Sequence, residues 1–321
     1  MSSKQQNSSS LSEKVVLCEC FARDGLQNET VSLTTEQKIE AIDRFADLGF
    51  SRVEATSYSH PKYVPQFADA DDVLAGITHR PGVRFKATCP NVKAVERALR
   101  ARDAGHGPEE ISLLISASES HSQTNLKRSR AEQWELVSEM ARLGRGCFVM
   151  VGTLSVAWGC PFEGHVPPET IIADAQRLAE LGVDHIAIGD TVGRGDPRSV
   201  ATLFTRLRQA LPEVTFIAHF HDTRGRGLAN CVAAYDAGIR YFDSAFGGVG
   251  GHPTKIDYGE GYTGNVCTED LVAMFEAMGI PTGLNLSRLV PTALFCEDLL
   301  GRSLRGMVTR SGLDTRKELP Q

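Results

Sequence analysis

The sequence has no uninterrupted apolar run approaching the roughly 20 residues that cross a bilayer, so no membrane span is expected. It has no basic excess either. A net charge of −6 and a pI near 5.9 exclude the electrostatic footprint of a nucleic-acid binder. No C-x-x-C pair occurs among the eight cysteines, scattered at positions 18, 20, 89, 147, 160, 231, 267 and 296. That scatter points to reduced thiols rather than a disulfide framework. The first ten residues lack the apolar core of a secretory signal and, with one Lys and no Arg, the Arg-rich character of a transit peptide. Residues 1–12 are expected to form a disordered polar tail, and the protein to be cytoplasmic. No G-x-G-x-x-G follows the first apolar run, which removes the main support for a doubly wound dinucleotide-binding sheet.

What is present is one unit repeated eight times. Short apolar runs at 15–20, 51–55, 83–89, 110–116, 147–153, 185–188, 215–221 and 241–246 alternate with amphipathic segments. The first of those segments opens on Thr34-Thr35-Glu36-Gln37, a capping-box pattern, and presents Ile39, Ile42, Phe45, Ala46 and Leu48 on one side. Glycines 49, 105, 144, 182, 238 and 279 stand where helices end, as left-handed caps that let the chain reverse into the next strand. Eight such units in about 265 residues predict an α/β fold of the closed (β/α)8 TIM-barrel type. The barrel is expected over 13–284, with 285–321 as a C-terminal helical extension of the same domain.

In such barrels the chemistry sits at the C-terminal ends of the strands. The seventh strand ends on His219-Phe220-His221, and side chains at i and i+2 of a strand project to one face. Two imidazoles on one side make half of a divalent-metal site. An isolated His-x-His is equally compatible with one ring in the core and the other closing a loop. The other strand ends bring Arg23 and Asp24, Glu54, Asn91 and Asp190 to the same rim, and the last loop carries His252, Asp257, Glu260 and Asn265. Asn91 and Asp222 suit helix caps at least as well as chemistry. Two imidazoles with carboxylate or amide oxygens and no thiolate favour Mg²⁺ or Mn²⁺ over Zn²⁺. A hydrolase of the amidohydrolase type would place the His pair on the first strand.

These residues carry a family resemblance. Arg23-Asp24-Gly25-Leu26-Gln27-Asn28-Glu29, Val53-Glu54-Ala55-Thr56-Ser57, Gly159-Cys160-Pro161-Phe162-Glu163-Gly164, Gly189-Asp190-Thr191-Val192-Gly193, His219-Phe220-His221-Asp222-Thr223 and Gly264-Asn265-Val266-Cys267 resemble the 3-hydroxy-3-methylglutaryl-CoA lyase family, collinearly over about residues 15–310. The resemblance implies Asp24, His219, His221 and Asn265 as metal ligands. It implies a catalytic set of Arg23, Glu54, Asp190, His219 and the residue at 252. Arg23 would pair with an enolate oxygen, and Glu54 and Asp190 would lie around the acid/base site. Gln27, Asn91, Arg302 and Arg305 are the expected substrate and CoA contacts, the two arginines suiting phosphates. The implied reaction is a retro-Claisen cleavage of an acyl-CoA to acetyl-CoA and acetoacetate, assisted by the cation's Lewis acidity, in a homodimer or larger homo-oligomer. Related readings are a citramalyl-CoA lyase, or a condensing enzyme of the isopropylmalate or citramalate synthase type.

One departure stands out. The family's last catalytic loop reads Gly-Gly-Cys-Pro, and here it is Gly250-Gly251-His252-Pro253, followed by a longer 254–262 segment. An imidazole titrates near neutrality, so His252 is expected to replace the thiol as proton donor.

Overall fold

A computed structural model of the chain describes residues 14–251 and 263–314. Eight parallel strands close into a barrel in simple sequence order. They are β1 (Val16–Glu19), β2 (Arg52–Ser57), β3 (Arg84–Cys89), β4 (Glu110–Ser116), β5 (Val149–Ser155), β6 (His185–Asp190), β7 (Thr215–Phe220) and β8 (Tyr241–Ser244). Closure comes from β1 against β8, with Val16 opposite Tyr241 and Cys18 opposite Asp243. The TIM barrel expected from the repeat is the observed fold. Its main helices are α1 (Thr35–Leu48), α2 (Ala70–Gly76), α3 (Val92–Asp103), α4 (Arg130–Gly144), α5 (Pro168–Glu180), α6 (Pro197–Ala210), α7 (Gly227–Asp236) and α8 (Thr268–Ala277). Among the described residues no helix is long and apolar enough to cross a membrane.

The local chemistry explains where these helices begin and end. Thr34 and Gln37 form the expected capping box at the start of α1, and Gly49, at φ 112°, ends it. The fifth strand begins two residues later than the apolar pattern suggests. Helix α4 runs through Gly144, and the left-handed turn falls on Gly146, at φ 73°. Gly144 serves packing instead. A Cβ there would come within 3.1 Å of Ile111 Cδ1 and 3.2 Å of Met150 Sδ. The segment 23–29, read as a polar loop, is wound into two short helical turns, Phe21–Gly25 and Leu26–Asn28.

The strands divide their side chains between two environments. Val53, Phe85, Ala87, Ile111 and Phe242 are buried within the main apolar core. The alternate positions of β2 and β3 carry Arg52 and Glu54, then Arg84, Lys86 and Thr88, and each meets an ion-pair or hydrogen-bond partner from another strand. Arg52 is fully buried and ion-paired with Glu110, its Nε 3.1 Å from Oε2. A buried guanidinium left alone would be strongly destabilising, so the barrel centre is organised by charge pairing. Beyond the eighth unit, α9 (Leu289–Leu300) buries Leu289, Ala293, Cys296 and Leu300, and α10 (Met307–Ser311) receives Asp270 on its first backbone N–H groups. The polar tail expected at 1–12 lies outside the described residues.

Candidate metal centre and active site

His219 is on the last turn of the β7 pleat and His221 lies one residue past it, in a bridge with Asn265. The two rings share a face as the strand period requires, with Nε2 of one 3.2 Å from Nε2 of the other. Asp24 joins them from the helical turn that follows β1. Its Oδ2 is 3.6 Å from His221 Nε2, and donor atoms of Asp24, His219 and His221 all lie within 4.8 Å of one another. Asn265 comes from the last loop and donates from Nδ2 to Asp24 Oδ2 at 2.6 Å and to Val249 O at 3.0 Å. Gly250 makes this approach feasible. A Cβ there would sit 2.4 Å from Asn265 Nδ2, and its φ of 113° suits glycine alone.

The donor set has the character of a cation site. Asn265 Oδ1 is buried without a hydrogen-bond partner among the described residues, as is His221 Nδ1. A buried amide oxygen left in that state is costly, and an ion would satisfy it. Two imidazole nitrogens 3.2 Å apart repel unless a proton or a cation stands between them. Burial alone would raise the Asp24 carboxyl. The neighbouring His221 imidazole and Arg23 guanidinium outweigh it and hold the group well below the usual aspartate range, ready to coordinate as an anion. His219 is turned by a second carboxylate, its Nδ1 standing 3.2 Å from Asp243 Oδ2. Burial opposes a charge on this ring, but Asp243 raises its basicity on balance. That is the carboxylate–histidine arrangement that fixes the tautomer of a metal ligand.

Arg23 and Glu54 stand beside this centre. Arg23 Nη1 is 2.8 Å from Asp24 Oδ1, and its buried Nε, which has no hydrogen-bond partner among the described residues, is 3.5 Å from Glu54 Oε1. Glu54 also accepts from Thr88 Oγ1 at 2.7 Å. The β2–β3 register slips between Glu54 and Thr56, a bulge of the kind that re-aims side chains at barrel rims. Asp190 is fully buried at the end of β6 and braces the following turn, accepting from Arg194 N and Gly195 N at 2.8 Å each. Burial pushes its carboxyl above the ordinary range despite those bonds.

Other expected contacts lie further from this cluster's hydrogen bonding. Gln27 is half-buried in the turn after Arg23. Asn91 caps α3 through its Oδ1, which accepts from Ala94 N at 3.0 Å, and its amide nitrogen is the group it can donate to a ligand. Asp222 is likewise engaged, accepting from Gly227 N. Arg302 and Arg305 are exposed just beyond α9, and Arg302 Nη2 is 2.5 Å from Glu29 Oε1. That pair ties the C-terminal extension to the loop carrying Arg23 and Asp24. His252 lies outside the described residues, with 253–262.

Sequence reading missed Asp243, Lys86 and Thr88. Their signal was a polar side chain alternating with apolar ones inside a strand, Phe85-Lys86-Ala87-Thr88 and Tyr241-Phe242-Asp243, which on a barrel strand means an inward-facing group. A second cluster, Cys18, Cys20 and Asp243, also brings three potential ligands together. Arg52 and Lys86 both lie 3.8 Å from Asp243, so fixed positive charge already occupies its surroundings.

Residues 14–295 match the HMGL-like family model. The hydroxymethylglutaryl-CoA lyase of Bacillus subtilis (strain 168) is 38% identical over 293 residues, covering 91% of this chain and 95% of that protein. The mitochondrial hydroxymethylglutaryl-CoA lyase of Rattus norvegicus is 36% identical over 302 residues, covering 94% and 90%. Among solved structures, an HMG-CoA lyase from Acinetobacter baumannii in complex with coenzyme A and 3-methylmalate superposes with a TM-score of 0.89 at 33% identity, covering 98% of this chain and all of that one.

Proposed function

The chain belongs to the HMGL-like family, and we propose that it is a carbon–carbon lyase that cleaves 3-hydroxy-3-methylglutaryl-CoA to acetyl-CoA and acetoacetate. The observation that carries this reading is the convergence of Asp24, His219, His221 and Asn265 beside Arg23 and Glu54, in a chain matching HMG-CoA lyases over more than nine-tenths of its length.

Asp24, His219, His221 and Asn265 would hold one divalent cation. Two imidazoles, a carboxylate and an amide oxygen without thiolate favour Mg²⁺ or Mn²⁺. When bound, the cation supplies Lewis acidity that lowers the pKa of the substrate's tertiary hydroxyl. The chain's own groups do the rest. Glu54 and Asp190 are the carboxylates available to take the hydroxyl proton. As the C–O bond becomes a carbonyl, the C2–C3 bond breaks and its electron pair passes into the thioester as an enolate. Arg23, fixed between Asp24 and Glu54, offers its guanidinium to that developing negative charge. Protonation at the enolate carbon then gives acetyl-CoA, with His252 as the donor.

The C-terminal extension supports a CoA site near the rim. Arg302 is paired to Glu29, four residues after Gly25 of the catalytic turn, and Arg305 N bonds Gly247 O at 3.1 Å beyond β8. Both arginines are exposed, where they can reach a phosphate. Gln27 and the amide nitrogen of Asn91 complete the proposed substrate contacts. The test is acetyl-CoA release from a panel of 3-hydroxy-3-alkylglutaryl-CoA and citramalyl-CoA thioesters, with and without Mg²⁺ or Mn²⁺. Release from hydroxymethylglutaryl-CoA above all others is expected. Release from none, with acetyl-CoA consumed in the presence of 2-oxo acids, would make the protein a condensing enzyme.

A further inference from the structure

Lys86 is a strongly basic side chain at the barrel centre that the reaction above leaves without a task. It lies on β3, between the outward-facing Phe85 and Ala87, and its side chain is only 4% exposed. Its Nζ is 3.6 Å from Glu54 Oε2 and 3.8 Å from Asp243 Oδ2. Glu54 is its direct neighbour in register on β2. Asp243 is not. It belongs to β8, two strands further round the barrel, where it is the register neighbour of His219. The flexible four-carbon stem of lysine spans that gap, and one compact ammonium serves both carboxylates.

Each carboxylate reaches a different part of the site. Glu54 Oε2 faces Lys86, while Oε1 takes the Thr88 hydroxyl and lies near Arg23 Nε. Asp243 Oδ2 is shared between Lys86 and His219 Nδ1, and Oδ1 faces Arg52. The ammonium therefore joins the proton-transfer carboxylate to the group that orients a metal ligand. Remove it, and two buried carboxylates lose a compensating charge and are free to turn.

We infer that Lys86 is a positioning residue of this active site: by bracing Glu54 and Asp243 together it holds Glu54 against Arg23 and keeps His219 turned with Nε2 toward the cation pocket. This rests on the lyase reading for its kinetic consequence and on geometry alone for its consequence in cation binding. Geometric misplacement of catalytic groups by about 1 Å costs on the order of a hundredfold in rate. Loss of an outer partner of a metal ligand weakens cation binding on the order of tenfold or more.

The experiment compares wild type, Lys86→Met and Lys86→Ala, each checked for folding by circular dichroism and thermal melting. Steady-state kinetics on hydroxymethylglutaryl-CoA and Mn²⁺ titration followed by electron paramagnetic resonance are the two readouts. For Lys86→Met, kcat falls about a hundredfold with KM within about threefold, since substrate contacts are untouched. The Mn²⁺ Kd rises about tenfold. Ethylamine added to Lys86→Ala restores part of kcat saturably, returning an ammonium to the vacated space. A folded Lys86→Met that keeps both kcat and Mn²⁺ affinity would overturn the proposal. So would a loss that tracks the unfolded fraction and does not respond to amine. If wild type itself cleaves no thioester, the lyase reading fails, and the Mn²⁺ titrations still decide the role of Lys86.

Discussion

Asp24 and Asn265 are 241 positions apart in the chain, yet the Asn265 amide nitrogen lies 2.6 Å from Asp24 Oδ2. The contact joins the first strand's turn to the loop after the last strand, across the closure of the barrel. It leaves Asn265 Oδ1 buried with no hydrogen-bond partner among the described residues, and Asp24 itself belongs to a cluster with His219 and His221 that could hold a metal ion.

Cation binding should therefore stabilise the fold as well as support turnover. At a concentration about a hundred times its Kd, a ligand specific for the native state adds about 2.7 kcal/mol. Wild type should melt higher with Mn²⁺ or Mg²⁺ than after chelation, and chelated protein should release no acetyl-CoA until the ion is restored. Asp24→Asn should lose most of that thermal shift and lower kcat on the order of a thousandfold, as loss of a main electrostatic contact does. Differential scanning fluorimetry across a Mn²⁺ series measures the first effect. An equal shift in Asp24→Asn would remove the carboxylate from the ligand set.

How much of this was legible in the sequence depends on range. The barrel was readable because each β/α unit declares itself locally, through apolar runs and the glycines that end helices, as at Gly49 and Gly182. The shared direction of His219 and His221 was likewise local, a consequence of strand period. Asp243 and Lys86 were not readable as partners. Their meaning depends on which strands face one another across the barrel, and strand period gives only inward or outward. Gly144 shows the same limit, since whether a glycine caps a helix or makes room for Ile111 is decided by tertiary packing.

The change from thiol to imidazole at position 252 should appear in both inhibitor sensitivity and pH dependence. Of the eight free cysteines, Cys147 and Cys267 are half-buried and the others buried, and none belongs to the set around Asp24, His219 and His221. Iodoacetamide should leave most activity intact. His252→Ala should lower kcat about a hundredfold or more, the ordinary contribution of a general acid, and erase the limb of the pH–rate profile near neutrality. An unchanged profile and turnover in His252→Ala would return the proton donor to Glu54 or Asp190.

Glu19 predicts a pH dependence of stability separate from catalysis. It is fully buried, with Oε1 accepting from Phe21 N at 2.9 Å and Phe246 N at 3.0 Å, and Oε2 lying 2.6 Å from Thr268 Oγ1. Thr268 Oγ1 is also 2.7 Å from Ser244 Oγ. A hydroxyl has one proton, and a protonated Oε2 donating to Thr268 leaves that proton for Ser244. Burial pushes the Glu19 carboxyl from 4.5 up to about 8, against the opposing hydrogen bonds. With the folded pKa raised, the folded state keeps a proton that the unfolded chain has released. The stabilisation is complete below pH 4.5 and is lost as pH rises through about 8. For one proton the slope is at most about 1.4 kcal/mol per pH unit. Asp24 and Asp243, held low by their cationic neighbours, act in the opposite sense and only at acid pH. Urea unfolding of wild type beside Glu19→Gln between about pH 5.5 and 8.5 therefore separates the Glu19 effect from those of other shifted groups, His219, Asp190 and Glu269 among them. Wild type should lose stability steadily over that range. Glu19→Gln, whose amide donates to Thr268 at every pH, should give a flatter line that crosses above wild type at the alkaline end. Parallel lines would show that Glu19 is ionised in the folded protein throughout.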